Sequence, residues 1–240
     1  MALFTLADLH LSLSGEKPMD VFGGSWVNFE ARLKEYWLYM VQPNDTVVIP
    51  GDVSWAMALE ETKKDFAFLH ELPGEKILMK GNHDYWWSSL TKLIAFVEEE
   101  GFSSLHFLHN NAIFTQGKVL CGSRGWMCEE KMTSHDEKIL RREAMRFRLS
   151  LEQGTLLADK AEEETGVRPE ILAFSHYPMI TAAQRENPIL DVLREFGVKR
   201  LYYGHLHNWG TKPLYEEWNG IRLTLVSSDY QNFTPVRIDD

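Results

Sequence analysis

Five short apolar runs in this chain break off at carboxylates, amides or imidazoles, and that pattern restricts the fold more than any other feature. The runs are LADLH (6–10), VVIPGD (47–52), LMKGNHD (78–84), LAFSHYP (172–178) and LYYGHLH (201–207). Each reads as a buried strand ending in side chains that gain nothing from core packing. Burying such groups without partners costs about 1–3 kcal/mol each. In open α/β sheets, ligands bind outside the carboxyl ends of the strands, so ends far apart in sequence can meet at one spot.

The first half of the chain alternates strand and helix. Apolar runs at 2–7, 46–50 and 76–80 are separated by stretches with helical spacing at 25–41, 57–72 and 88–100. Ser25 is a candidate cap for the first helix, and Ser88 or Ser89 for the third. This is the pattern of a parallel sheet with helical crossovers. The second half differs. Residues 110–123 read as two short strands around Gln116–Gly117, and Asn219–Gly220 between alternating segments is a hairpin signal. Residues 170–178 and 199–207 are again strands with polar ends. The charged stretch 130–165 reads as a helical excursion from the sheet core, with Gly154 as a candidate C-cap. Hairpins added to parallel units predict a mixed sheet or two packed sheets. No Pro/Gly/Ser-rich linker divides the chain, so 1–240 reads as a single domain.

Composition excludes several function classes. The 240 residues are 44% hydrophobic, enough for a sizeable core, and carry a net charge of −10. That balance argues against general nucleic-acid binding and against an anionic membrane surface. A small phosphorylated substrate stays compatible with it, because bound cations reverse the local field. No apolar stretch approaches the ~20 residues of a membrane helix. The opening MALFTLADLH has no basic segment before its apolar one, unlike a signal peptide. Cys121 and Cys128 lack zinc-type spacing and read as reduced thiols, so a cytoplasmic location is expected.

The run ends supply Asp8, His10, Asp52, Asn82, His176, His205 and His207. This is an oxygen and nitrogen donor set without thiolate, suited to manganese, iron, zinc, cobalt or nickel. Seven ligands exceed what one such ion takes from protein, and two ions sharing a carboxylate account for them better. Asp8/His10 and His205/His207 are i,i+2 pairs, whose members point to one side in an extended segment. Taken singly, each piece has an ordinary meaning: DLH a strand end, GD a turn, GHLH a loop. Together, in this order, they point to a metal centre.

The ordered set Asp8-x-His10, Gly51-Asp52, Gly81-Asn82-His83-Asp84, Ser175-His176 and Gly204-His205-x-His207 resembles the calcineurin-like metallophosphoesterase superfamily. The resemblance runs from residue 8 to 207. It implies an α/β fold, a four-layer αββα sandwich with two mixed β-sheets flanked by helices. It implies that Asp8, His10 and His207 hold one divalent ion, that Asn82, His176 and His205 hold a second, and that Asp52 bridges them. Manganese is the expected metal, with iron, zinc, cobalt and nickel as alternatives. His83 is then the catalytic histidine beside the leaving group, and Asp84 braces its loop. The implied activity is hydrolysis of a phosphodiester or small phosphomonoester by in-line attack of a hydroxide that bridges the ions. A catalytically silent metal-site scaffold and a serine/threonine protein phosphatase are the alternatives. The chain departs from the protein-phosphatase branch, which has an acid and then an arginine where Trp55 and Ala56 stand here. Arg124, between a strand and Gly125, is a candidate phosphate-binding residue. Arg141, Arg142, Arg146 and Arg148 read as the solvated face of a helix. The expected partner is a small phosphorylated substrate, with no membrane and no general nucleic-acid binding.

Overall fold

The computed structural model describes residues 1–15, 17–127, 131–182, 185–207 and 216–239. Cys128 lies outside the described residues, as do Leu214 and Tyr215 of the hairpin segment. Among the described residues the chain is α/β with two mixed sheets and five α-helices, and it forms two compact units, residues 1–107 with 226–240 and residues 108–225. Among the described residues no helix is long and apolar enough to cross a membrane.

The first unit holds β1 (Leu3–Thr5), β2 (Thr46–Ile49), β3 (Glu75–Leu78), β4 (Leu105–Phe107) and β11 (Val236–Ile238) in the order β11-β1-β2-β3-β4. β1 to β4 are parallel, and β11 returns antiparallel beside β1. The crossovers carry α1 (Phe29–Met40), α2 (Lys63–Glu71) and α3 (Leu90–Glu99). α1 buries Phe29, Leu33 and Trp37, one residue per turn on a single face. Its start differs from the sequence reading: Asn28 precedes it in a left-handed conformation, and Ser25 lies in a 3₁₀ turn, Gly24–Trp26. α3 is capped as expected, Ser89 Oγ accepting from Lys92 N. Lys76 is fully buried in β3; its Nζ donates to Leu72 O at 2.7 Å and to Gly74 O at 2.6 Å.

The second unit holds β5 (Ala112–Thr115), β6 (Lys118–Gly122), β7 (Glu170–Ser175), β8 (Arg200–Tyr203), β9 (Glu217–Trp218) and β10 (Ile221–Leu225), in the order β5-β6-β7-β8-β10-β9. β6, β7, β8 and β10 are parallel neighbours, with antiparallel β5 and β9 at the edges. β9 and β10 turn at Asn219–Gly220, as the sequence predicts. α4 (Ser134–Thr165) crosses from β6 to β7, and α5 (Pro188–Glu195) from β7 to β8. α5 starts at Asn187, whose Oδ1 accepts from Ile189 N and Leu190 N, with Pro188 in its first turn.

The charged stretch around 130–165 is thus one 32-residue helix, and it packs on β5, β6 and β7. Its buried stripe, Leu140, Ala144, Phe147, Leu151, Gly154, Ala158 and Ala161, keeps helical spacing to the end. Gly154 does not cap the helix. It lies in the interior, where a Cβ would stand 2.3 Å from Cys121 Sγ, so glycine lets the helix sit down on β6. The helix ends at Gly166, which is left-handed. The Cys121 thiol is free and buried, and burial pushes it up to about 12, which leaves it unreactive. The arginines of α4 are spent in ion pairs: Arg141 with Glu137, Arg142 and Arg146 with Glu143, and Arg148 with Glu195 of α5.

Candidate metal centre

In the first unit, the parallel register of β1 and β2 continues past the strands. Asp8 N donates to Gly51 O at 3.0 Å, His10 N to Asp52 O at 2.9 Å, Leu11 N to Val53 O at 3.0 Å, and Trp55 N to Leu11 O at 2.9 Å. These bonds hold the DLH and GD loops side by side. The ligand-type residues are not extended, contrary to the i,i+2 argument. Asp8, His10 and Asp52 have φ of 60°, 47° and 53°, in the left-handed region. Non-glycine residues there are strained and cluster at functional sites. The outcome is a tight group. Asp8 and His10 offer ligand atoms within 4.8 Å of each other, as do Asp8 and Asp52. His10 Nε2 lies 3.7 Å from Asp52 Oδ2. All three side chains are buried.

The loop after β3 is fastened to this group by Asp84. Its carboxylate accepts from Gly81 N at 2.7 Å, Asp52 N at 2.8 Å, Val53 N at 2.9 Å, Ser54 N at 3.2 Å and Trp86 Nε1 at 3.1 Å. Burial pushes the Asp84 carboxyl up, to about 7, and the Asp52 charge adds to this; the backbone N–H donors oppose it. Gly81 sits so close that a Cβ would lie 2.0 Å from Asp52 Oδ1. His83 N donates to Asp52 Oδ1 at 2.8 Å, and Asn82 and His83 are partly exposed on the same loop. Asp65 is a second brace, accepting from Leu13 N at 2.8 Å and from Ser54 Oγ.

Trp55 packs against both histidines. Its ring stacks on His10 at 5.0 Å and 25°, and lies 4.3 Å from His83. Trp26 meets His10 from another side, at 5.8 Å. Trp86 and Trp87, by contrast, belong to the core, against Phe66 and Phe107, while Tyr85 is exposed.

In the second unit, the ends of β6, β7 and β8 lie next to one another. His176 N and Tyr177 N both donate to Arg124 O, at 3.1 and 3.0 Å, and Gly204 N donates to His176 O at 3.1 Å. The His176 and His205 rings are 5.1 Å apart, and Tyr177 lies 4.5 Å from His205. His205 is again left-handed, with φ of 72°. His176 is fully buried, and His205 and His207 are partly exposed.

A family model described as calcineurin-like phosphoesterase matches residues 1–209. The chain belongs to the calcineurin-like phosphoesterase family. Calcineurin-like phosphoesterases carry out metal-dependent hydrolysis of phosphate esters, and Asp8, His10 and Asp52, each pair of which lies close together, are candidate ligands for divalent ions. Their chemistry fits: two buried carboxylates so close together, beside an imidazole, call for a cation. No curated protein matches the sequence.

Solved structures share the fold at low identity. A protein of unknown function, AQ665 from Aquifex aeolicus, is 17% identical with a TM-score of 0.53, over 98% of this chain and 95% of that one. The phosphopantetheinyl hydrolase PptH from Mycobacterium tuberculosis is 14% identical with a TM-score of 0.51, over 99% and 95%. TT1561 of Thermus thermophilus is 10% identical with a TM-score of 0.52, over 99% and 97%. Of the features that position the site, the left-handed backbone at Asp8, His10 and Asp52 has no counterpart in the sequence reading.

Proposed function

We propose that this calcineurin-like phosphoesterase cleaves a phosphodiester or a small phosphomonoester at two divalent cations, with manganese the expected metal. Asp8, His10 and His207 are assigned to one ion, Asn82, His176 and His205 to the other, and Asp52 to both. The observation that carries the reading is the buried Asp8–His10–Asp52 group, two carboxylates and an imidazole held close together on a left-handed backbone. PptH, of like fold, is a phosphopantetheinyl hydrolase, which is in keeping with hydrolytic chemistry.

The cations, when bound, supply a nucleophilic oxygen at neutral pH and offset charge on the phosphoryl group. The chain's own residues do the rest. Asp84 fixes the height of the Asp52 and His83 loops against each other. Trp55 holds the imidazoles of His10 and His83 in place by ring contact. His83, half-exposed, donates a proton to the leaving alkoxide as the P–O bond breaks. A ring in place of a carboxylate beside the catalytic imidazole distinguishes this arrangement from the protein-phosphatase branch.

The test is hydrolysis of bis(p-nitrophenyl) phosphate and p-nitrophenyl phosphate by protein stripped with a chelator and then reloaded with Mn²⁺. The reloaded protein is expected to cleave at least one of them, and the stripped protein neither. Equal rates in the two preparations would sink the metal-dependent reading.

A further inference from the structure

Beside the histidines of the second unit is a cavity that the phosphoesterase reading leaves unused. It has a volume of about 180 Å³ and is lined by Trp126, Met127, Met132, Asp136 and Tyr177. Tyr177 is a shared wall, since the same ring lies 4.5 Å from His205 and 5.2 Å from His176. Trp126 and Tyr177 meet edge to face, at 5.5 Å and 61°. The Arg124 guanidinium lies 5.3 Å from the centre of the Trp126 ring and 5.9 Å from that of Tyr177. Arg124 Nε is buried and donates no hydrogen bond among the described residues. The Arg124 backbone is tied to His176 by the hydrogen bond already described, so the guanidinium belongs to the same group of loops.

The cavity's polar end is Asp136, the third residue of α4. Its carboxylate accepts from Thr133 N at 2.9 Å and from Thr133 Oγ1 at 2.6 Å. Those bonds, with one from the Trp126 side chain, hold its carboxyl below the usual range. The start of α4 is therefore already neutralised, and a second anion has no reason to sit there. A carboxylate has about four acceptor positions, so Asp136 has room for one more donor. Flexible methionines complete the cavity wall and adapt to a flat face. At 180 Å³ the cavity is smaller than the ~300 Å³ at the low end of ligand pockets, too small for a peptide segment but suited to a single ring system.

We propose that this cavity takes a planar nitrogen heterocycle carried by the phosphate ester, as in a nucleotide, with Arg124 on a phosphate oxygen, the ring against Trp126 and Tyr177, and an N–H of the base, such as the exocyclic amine of adenine, donated to Asp136. The proposal deepens the phosphoesterase reading and rests on it for the attachment of ring to phosphate. An aliphatic chain is the weaker occupant, because it would desolvate the Asp136 carboxylate and return no hydrogen bond.

The experiment is calorimetric binding of adenosine 5′-monophosphate, ribose 5-phosphate and n-hexyl phosphate to metal-loaded protein in a His83→Ala background that suppresses turnover. The adenosine compound is expected to bind about tenfold or more tightly than either of the others, a factor in keeping with base–aromatic stacking. Trp126→Ala is expected to remove that preference and leave ribose 5-phosphate binding unchanged. Trp126→Phe should keep most of it, which separates stacking from misfolding. Arg124→Gln should weaken all three ligands alike. Equal binding of the three, hexyl phosphate as tight as the nucleotide, no measurable binding of any, or a preference that survives Trp126→Ala would each overturn the proposal. Nucleotide preference in a protein that hydrolyses no phosphate ester would support the cavity and refute the catalytic reading, so the two failures are distinct.

Discussion

His83→Ala lowers kcat of the Mn²⁺-loaded protein on an alkyl phosphate ester by about 10²–10⁴-fold, the usual worth of a positioned general acid. An alkoxide is a poor leaving group and needs the proton. A p-nitrophenolate leaves without one, so the same variant should lose much less on a chromogenic ester. Metal content should not change, because His83 is not assigned as a ligand; its backbone N–H, which bonds Asp52 Oδ1, survives the substitution. This split between substrates is what a purely structural role would not produce. Full activity of the variant on the alkyl ester would refute the role given to His83.

Asp84→Ala has the largest expected effect on stability. The carboxylate takes five N–H groups from two loops, and it is fully buried. Removing it leaves those donors facing a cavity. Unsatisfied buried donors cost about 1–3 kcal/mol each, though not additively, so we expect a loss of about 3–5 kcal/mol. The urea midpoint of the transition that reports on the first unit should fall accordingly. Asp84→Asn should rescue little, since its amide N–H₂ would point donors at donors. A change under about 1 kcal/mol in the alanine variant would mean the loops are held by something else.

Much of this arrangement is legible in the sequence, for identifiable reasons. β-branched and apolar runs that break off at glycine or polar residues mark strands, and β2, β3, β7 and β8 fall on the expected runs but end one to four residues before them, where the polar side chains begin. The turn at Asn219–Gly220 is legible because few residues suit it. The rest depends on contacts between distant segments. Gly154 reads as a helix stop because glycine serves both as a cap and as a place of close approach, and only the position of Cys121 decides between them. The left-handed Asp8, His10, Asp52 and His205 are illegible because these residue types occupy ordinary conformations elsewhere. The roles of the tryptophans divide by neighbour: Trp86 and Trp87 meet phenylalanines, Trp55 meets imidazoles, and no periodicity separates them.

The most direct test of the account is metal content by elemental analysis after Mn²⁺ loading and desalting, on the natural protein and on Asp52→Asn. The account predicts about two equivalents per chain in the first and at least one fewer in the second. Unchanged metal in the variant, or a natural protein that retains none, would contradict it.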